Sequence, residues 1–421
     1  MYALVDCNNF YPSCECLFQP KLKGKPVVVL SNNDGCVIAR SDEAKALGIV
    51  MGTPAHLSKD FFTRNGVEIF SSNYTLYGDM SDRVMKILSS YTPVIEVYSI
   101  DEAFLDFTEF KSRDLLKLGV DIRKRIMRDI GIPVSVGIAP NKTLAKMANK
   151  YAKKAATNQG TFLAGGAGEI DKLLDWTKVG KVWGIGHQYE LVLNKNKVFT
   201  AKDFDILPAD WVRTNLNVTG LRTWYELKGQ QAISLEVELK LKQNICTSRS
   251  FAKLTNDYSI LEEAVSNYAS SCAAKLRSQH SACREVSVFI ATNVHKMHHL
   301  QHHHSITIKC ETPTNLTGEI IKYALKGLAI IYGGKQYLYM KAGVIVKEVI
   351  PVASIQANLF DNVNREKESA LAGAVDIVNR KMGTNMVRMS VQRFDKRYQL
   401  RADHLSAKFT TDINQILKVN I

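Results

Sequence analysis

The strongest constraint on the fold is a run of alternating patterns between residues 244 and 347. Residues rich in β-branched and aromatic side chains mark strands at 244–251, 285–292, 305–310 and 338–347. Helical periodicity fills 259–280 and 315–331. The order β-α-β-β-α-β is that of a ferredoxin-like split unit, two crossovers packed on one sheet. At 421 residues the chain has room for roughly two to four domains, of which this is one.

A second α/β block precedes it. Residues 2–6 (YALVD) predict a short buried strand and Pro12 to Phe18 a helix. Strands at 27–30 and 36–39 flank an Asn-Asn-Asp-Gly turn at 32–35, a hairpin signal. A helix starts at Ser41 and ends near Gly48, and 94–98 and 103–107 are strand-like runs with a tight connection. A helix over 113–129, a strand over 134–139 and a helix over 141–154, capped by Asn141, complete the block. Short helices broken by Gly and Pro fill 166–230, and a charged connector covers about 231–243. The fold class is therefore α/β (α+β), multidomain.

Hydrophobic residues make up 46% and charged residues 23%, which excludes wholesale disorder. No stretch approaches the ~18 apolar residues of a membrane span. The N-terminus lacks a basic n-region and Asp6 interrupts its apolar start, so a cytoplasmic protein without membrane contact is expected. None of the eight cysteines forms a C-x-x-C pair, and they are expected to be reduced thiols.

The net charge of +14 is unevenly spread. Residues 1–110 carry 9 basic and 14 acidic residues, 111–165 carry 12 and 3, and 241–350 carry 13 and 7. An acidic module followed by basic ones suits a metal-holding site beside a polyanion track, and suits a solvated basic surface equally well.

Asp6 ends the first strand, and Asp101 and Glu102 sit in Y-S-I-D-E-A-F between two others. Three carboxylates at neighbouring strand ends could hold Mg²⁺, a hard ion that takes oxygen ligands. An isolated Asp-Glu pair, however, is more often a surface turn. On the helix 141–154, Lys142, Lys146, Lys150 and Lys153 share one face, and Leu144, Met147, Ala148 and Tyr151 share the other. The lysine face reads as a phosphate contact or a solvated stripe.

The segments D-C-N-N-F-Y (6–11), S-N-N-D-G-C-V-I-A-R (31–40), E-A-K-A-L-G (43–48), F-S-S-N-Y (70–74), Y-S-I-D-E-A-F (98–104) and V-G-I-A-P-N-K-T-L-A-K (136–146), in this order, resemble the Y-family DNA polymerases. The likeness is strongest to the UmuC branch, and it returns at T-S-R-S-F (247–251) and L-S-A-K-F-T-T (405–411). It implies a right-hand polymerase that copies damaged template with low fidelity in the SOS DNA-damage response. The ferredoxin-like palm would cover 1–18 and 75–165, and small fingers 19–74. A helical thumb with a helix-hairpin-helix would cover 166–240, and the ferredoxin-like little finger 241–350. A linker would follow at 351–365 and a C-terminal region at 366–421.

The resemblance also implies residue roles. Asp6, Asp101 and Glu102, with the backbone carbonyl of Cys7, would hold two Mg²⁺ ions. Tyr11, next to Phe10, would be the aromatic gate whose ring excludes a 2′-hydroxyl from the incoming dNTP. Lys45 and Lys153 would reach the triphosphate. Asp42 departs from the family's usual tyrosine and is assigned no nucleotide contact; Arg40 is a candidate to compensate. Gly184 and Gly186 in V-W-G-I-G resemble a helix-hairpin-helix turn that approaches a DNA phosphate, and 218–229 looks like a degenerate second copy. Arg249 would touch primer-template DNA. Gln356, Leu359 and Phe360 resemble the Q-x-x-L-F peptide that binds a sliding clamp. A UmuD′-like dimer and a RecA filament are further implied partners.

Six of the ten histidines crowd into 295–304, which reads as a solvated loop before a zinc site. A palm-type nucleotidyl cyclase would also use paired carboxylates, but it needs neither a helix-hairpin-helix nor a basic gripping module. A scaffold that only binds DNA would have no need of clustered carboxylates.

Overall fold

The computed structural model describes residues 1–110, 114–154, 160–238, 240–356, 361, 363–383, 385–394, 398 and 400–417. The chain forms two compact units, Met1–Leu239 with Asp403–Ile421, and Lys240–Ala402.

The first unit carries strands β1 (Tyr2–Cys7), β2 (Val27–Leu30), β3 (Val37–Arg40), β4 (Glu68–Ser71), β5 (Ile95–Val97), β6 (Glu102–Asp106), β7 (Val134–Ala139) and β8 (Thr161–Leu163). Its helices are α1 (Phe10–Phe18), α2 (Asp42–Ala46), α3 (Lys59–Arg64), α4 (Tyr74–Ser89), α5 (Leu115–Asp129), α6 (Lys142–Lys154), α7 (Ala167–Trp176), α8 (His187–Lys195), α9 (Ala201–Asp205) and α10 (Ala209–Leu227). The central sheet has the order β5-β6-β1-β7-β8, with β1 antiparallel to both β6 and β7. Side chains alternate across it. Ala3, Val5, Ala103 and Leu105 pack in the core shared with α1, α4 and α5. Leu4 and Phe104 pack on the opposite side, in the core that runs through α6 into α7–α10. The β2–β3 hairpin, joined through the turn at 32–35, pairs with parallel β4 as a separate three-stranded sheet over its own small core.

Helix α6 is held close to the sheet. Asn149 lies buried and donates to the carbonyls of Leu4 and Ser135, tying α6 to β1 and β7. Gly137 of β7 faces it with no room to spare: a Cβ there would lie 2.0 Å from the Asn149 backbone nitrogen and 2.5 Å from the Ala145 oxygen. Both neighbours are backbone, so nothing can yield cheaply. Gly137→Ala is expected to cost about 3 kcal/mol. A thermal melt of the purified variant within a degree of wild type would contradict this packing.

A buried polar hub fastens the N-terminus of α6. The Asn141 side chain accepts from Leu144 N–H and donates to the Glu226 carbonyl. The Glu226 carboxylate, fully buried, accepts from the backbone of Thr143 and Ile233. Lys142 forms an ion pair with Glu96 at 2.7 Å, their side chains 3% and 7% exposed. The lysine lies over the rings of Phe104 and Trp183. The solvated-stripe reading therefore fails for Lys142: the helix turns it inward, where its charge needs a partner.

The second unit contains β9 (Ile245–Thr255), β10 (Ser281–Thr292), β11 (His303–Thr314) and β12 (Tyr339–Pro351), with α11 (Tyr258–Ser278), α12 (Thr317–Ile331) and α13 (Arg365–Met382). The sheet order is β11-β10-β12-β9, all neighbours antiparallel. Each crossover skips one strand, so the split topology expected from the pattern is present, with β12 inserted between β9 and β10. Its core joins α11 and α12 to the sheet. Helix α13 is held on this unit by a two-bond Arg277–Asp376 pair and by Arg365–Glu319. Residues 366–421, one tail region in sequence, are thus divided between the two units.

Candidate active site

Asp6 and Glu102 stand opposite each other in the β1–β6 register. Alternation puts them on the side of Leu4 and Phe104, which is the α6 side. Two lysines one face of α6 apart meet them there. Lys153 Nζ lies 2.5 Å from Asp6 Oδ1, and Lys146 Nζ lies 3.2 Å from Glu102 Oε1. The carboxylate side chains are 20% and 18% exposed. Burial holds both acids above the ordinary carboxylate range, with Lys153 and Lys146 pulling the other way. Asp101 adds a like charge to each of them.

Asp101 occupies the turn before β6. Its carbonyl accepts from Cys7 N–H at 2.8 Å, and its Oδ1 accepts from Ser99 Oγ at 2.6 Å. The Cys7 thiol is buried, which pushes its pKa up, so it offers no thiolate; only its backbone could serve a hard ion.

Among the described residues, no group of three or more His, Cys, Asp or Glu side chains is gathered to hold a metal ion as it stands. The reason is local. Each of Asp6 and Glu102 is paired with its own lysine, and Asp101 accepts a hydrogen bond from the uncharged Ser99 hydroxyl. The donor set still fits a hard divalent cation: an all-oxygen trio, two of its members register partners, mutually repelling and half-desolvated.

Asp6, Glu102, Lys146, Lys150, Lys153 and Lys181 line a cavity of about 300 Å³. Four cations beside two acids suit a polyphosphate held next to a carboxylate centre. Lys146 also sits over the Tyr98 ring at 4.0 Å, and Trp183 Nε1 donates to Tyr98 Oη, so this corner is preorganised by aromatics. Burial, with Lys181 and Lys154 nearby, brings the Lys150 ammonium down to about 8. It is charged below that pH and neutral above it. Affinity for an inorganic polyphosphate is therefore expected to fall about two- to five-fold between pH 7 and 9, the worth of one partly exposed ion pair. Lys150→Arg, charged throughout, should flatten that fall. An unchanged slope in the variant would remove Lys150 from the phosphate site.

The chain leaves β1 through Asn9, at φ +48°, and enters α1 at Phe10. Phe10 is buried as packing, whereas Tyr11 is half-buried at the helix start. Tyr11 stacks on Tyr77 with ring centres 4.3 Å apart and meets Tyr74 edge-on. Its phenol is pushed up to about 12, first by burial. Lys45 donates to Asn9 Oδ1 and to Asp42 Oδ1 at 2.7 Å. The unusual Asp42 is thereby the partner of Lys45, and that contact holds its carboxyl below the usual range. Arg40 donates to the Ile49 carbonyl.

Gly184, at φ +90°, and Gly186, the N-cap of α8, are both exposed. Gly186 has no side chain and so supplies no cap acceptor to the first N–H groups of α8. In the suggested second copy, Asn217 breaks α10 at φ +55°. Arg249 is exposed on β9, the edge strand of its sheet. The rings of His302 and His304 have centres 4.3 Å apart, while His295, His298 and His303 are exposed and His299 is half-buried. Gln356 is exposed; Leu359 and Phe360 lie outside the described residues. Among the described residues, no helix is long and apolar enough to cross a membrane.

Tyr77, Lys181 and Trp183 carry no signal of their own in the sequence. Only the i, i+3 spacing of Tyr74 and Tyr77 hints at a shared face.

Residues 5–150 match the impB/mucB/samB family and 242–359 match the impB/mucB/samB family C-terminal domain. Residues 369–419 match a domain of unknown function, DUF4113. The chain is 40% identical to Protein UmuC of Salmonella typhimurium over 422 residues, covering all of both chains. It is 38% identical to Protein ImpB of Salmonella typhimurium, covering 98% of this chain and 97% of that one. DNA polymerase IV of Desulfatibacillum aliphaticivorans is 28% identical, with 91% and 94% covered. Among solved structures, a chimeric Y-family DNA polymerase built from Dbh and Dpo4 has a TM-score of 0.66 at 22% identity, covering 83% of this chain and 99% of that one.

Proposed function

The chain belongs to the impB/mucB/samB family of UmuC-like, Y-family DNA polymerases, and we propose that it is an error-prone, DNA-directed DNA polymerase that extends a primer across damaged template. The observation that carries this reading is the Asp6–Glu102 register pair facing a row of α6 lysines. The residues divide the work. Asp6, Asp101, Glu102 and the Cys7 carbonyl would hold two Mg²⁺ ions. When bound, these supply electrostatic stabilisation to an in-line attack of the primer 3′-OH on the dNTP α-phosphate.

Lys153, Lys150 and Lys45 neutralise the triphosphate. Lys153 and Lys146 hold the carboxylates in the cation's absence and so keep them preorganised. The Tyr11 ring, braced by Tyr77, excludes a 2′-hydroxyl. Gly184, Gly186 and Arg249 take primer-template phosphates. In this reading 1–18 with 75–165 is the palm, 19–74 the fingers, 166–240 the thumb and 241–350 the little finger. The Gln356–Phe360 peptide takes a sliding clamp. A UmuD′-like dimer and a RecA filament are the remaining partners, in a DNA-damage response in the cytoplasm.

The test is Mg²⁺-dependent primer extension over an abasic site by the full chain, with a UmuD′-like dimer, RecA filament and clamp supplied. Extension is expected. Template binding without extension under those conditions would overturn the enzymatic reading in favour of a scaffold.

A further inference from the structure

Although residues up to 402 belong to the second unit, the segment from Asp403 onward is seated on the first. Its seat is specific. Ser71 and His404 exchange two bonds of 3.0 Å, Ser71 N–H to the His404 carbonyl and His404 N–H to Ser71 Oγ. Asn73 Nδ2 reaches Ser406 Oγ and the carbonyls of Ser406 and Ala407. Phe409 stacks on Phe18 with centres 4.9 Å apart.

Beneath this segment lies the carboxylate of Glu15, fully buried in α1. Glu15 Oε1 accepts from Ser406 Oγ at 2.9 Å and from Tyr77 Oη at 2.7 Å, while Oε2 has no partner. Tyr77, itself fully buried, carries the Tyr11 ring stacked on its face.

We infer that Ser406 and Glu15 are positioning residues for Tyr11, so that the C-terminal segment sets the sugar selectivity of the polymerase through Glu15 and Tyr77. The inference rests on the reading of Tyr11 as the ring that meets the nucleotide sugar. A ring discriminates by exclusion only if it cannot retreat. The Tyr77 hydroxyl is buried and requires an acceptor. The acceptor is a buried carboxylate that itself requires donors. Ser406 supplies one of the two it has. Losing it leaves Glu15 under-satisfied and free to shift, and Tyr77 and Tyr11 can follow. The tail serine is 391 residues from Glu15 in sequence, so this contact exists only when the tail is seated. The final stretch of the domain of unknown function thereby acquires a task.

The experiment uses the full chain and compares kcat/KM for a dNTP with that for the matching rNTP. Ser406→Ala is expected to lower the dNTP preference on the order of five-fold, the worth of one such hydrogen bond, mainly by raising rNTP use. Asn73→Ala, which loosens the seat, should act in the same direction, and Ser406→Thr, which keeps the hydroxyl, should restore the preference. Tyr11→Ala is the internal control. If it leaves the preference unchanged, the gate reading itself falls. If it relaxes the preference while Ser406→Ala and Asn73→Ala do not, the relay is overturned and the gate stands. Equal losses of dNTP and rNTP use in Ser406→Ala would also overturn the relay, since they would mark the tail as merely structural.

Discussion

Primer extension by Asp101→Ala, by Glu102→Ala and by Asp6→Asn is expected to fall on the order of 10³-fold or more, because each removes a preorganised charge from the reacting centre. The fold should survive these changes. Burial raises the folded pKa of Asp6 and Glu102. A carboxylate raised in this way adds stability below its unfolded pKa and loses it as pH rises through the folded value. Near neutral pH both acids therefore weigh against folding, and neutral replacements should keep or slightly raise the melting temperature of the metal-free protein. Added Mg²⁺ should raise the melting temperature of wild type, since an ion that binds only the folded state stabilises it. It should not do so for Asp6→Asn combined with Glu102→Gln. Extension within ten-fold of wild type in any of the three single variants would refute the assignment of that residue.

Glu96→Ala is expected to have the largest effect on stability. It strands the Lys142 ammonium, 3% exposed, against Phe104 and Trp183, and frees the backbone N–H of Glu236 that Glu96 also accepts. Breaking one side of such a pair costs about 3–5 kcal/mol. Replacing both partners by apolar residues, Glu96→Leu with Lys142→Met, should recover most of that loss. Denaturant titration of the three proteins measures it. A Glu96→Ala loss below about 1 kcal/mol would show that the pair is wet.

Much of this was legible in the residues. The β-α-β-β-α-β order of 244–347 followed from periodicity alone, because alternating and helical patterns are local and each strand there buries one face. The carboxylates were visible as Asp6 at a strand end and Asp-Glu at a tight connection. Their pairing in register was not, since about 95 residues separate them in sequence. Four of the five lysines of α6, Lys142, Lys146, Lys150 and Lys153, looked equivalent by spacing. The structure splits them: Lys146 and Lys153 meet the two acids, Lys150 lines the cavity, and Lys142 turns inward to Glu96.

By itself, then, the sequence left α3, β4, α4, β8 and α13 unread, but determined the order of elements in the ferredoxin-like unit, most elements of the first block, the acidic strand ends and the family. Those are properties of short windows, where the side-chain period dictates which face is apolar. Tertiary structure alone decided which lysine answers which carboxylate, and that Ser406 reaches Glu15 under Tyr77. Each of these is a contact between distant windows. Its partner is chosen by how the sheet register and the helix seat bring the windows together, and no local pattern carries that information.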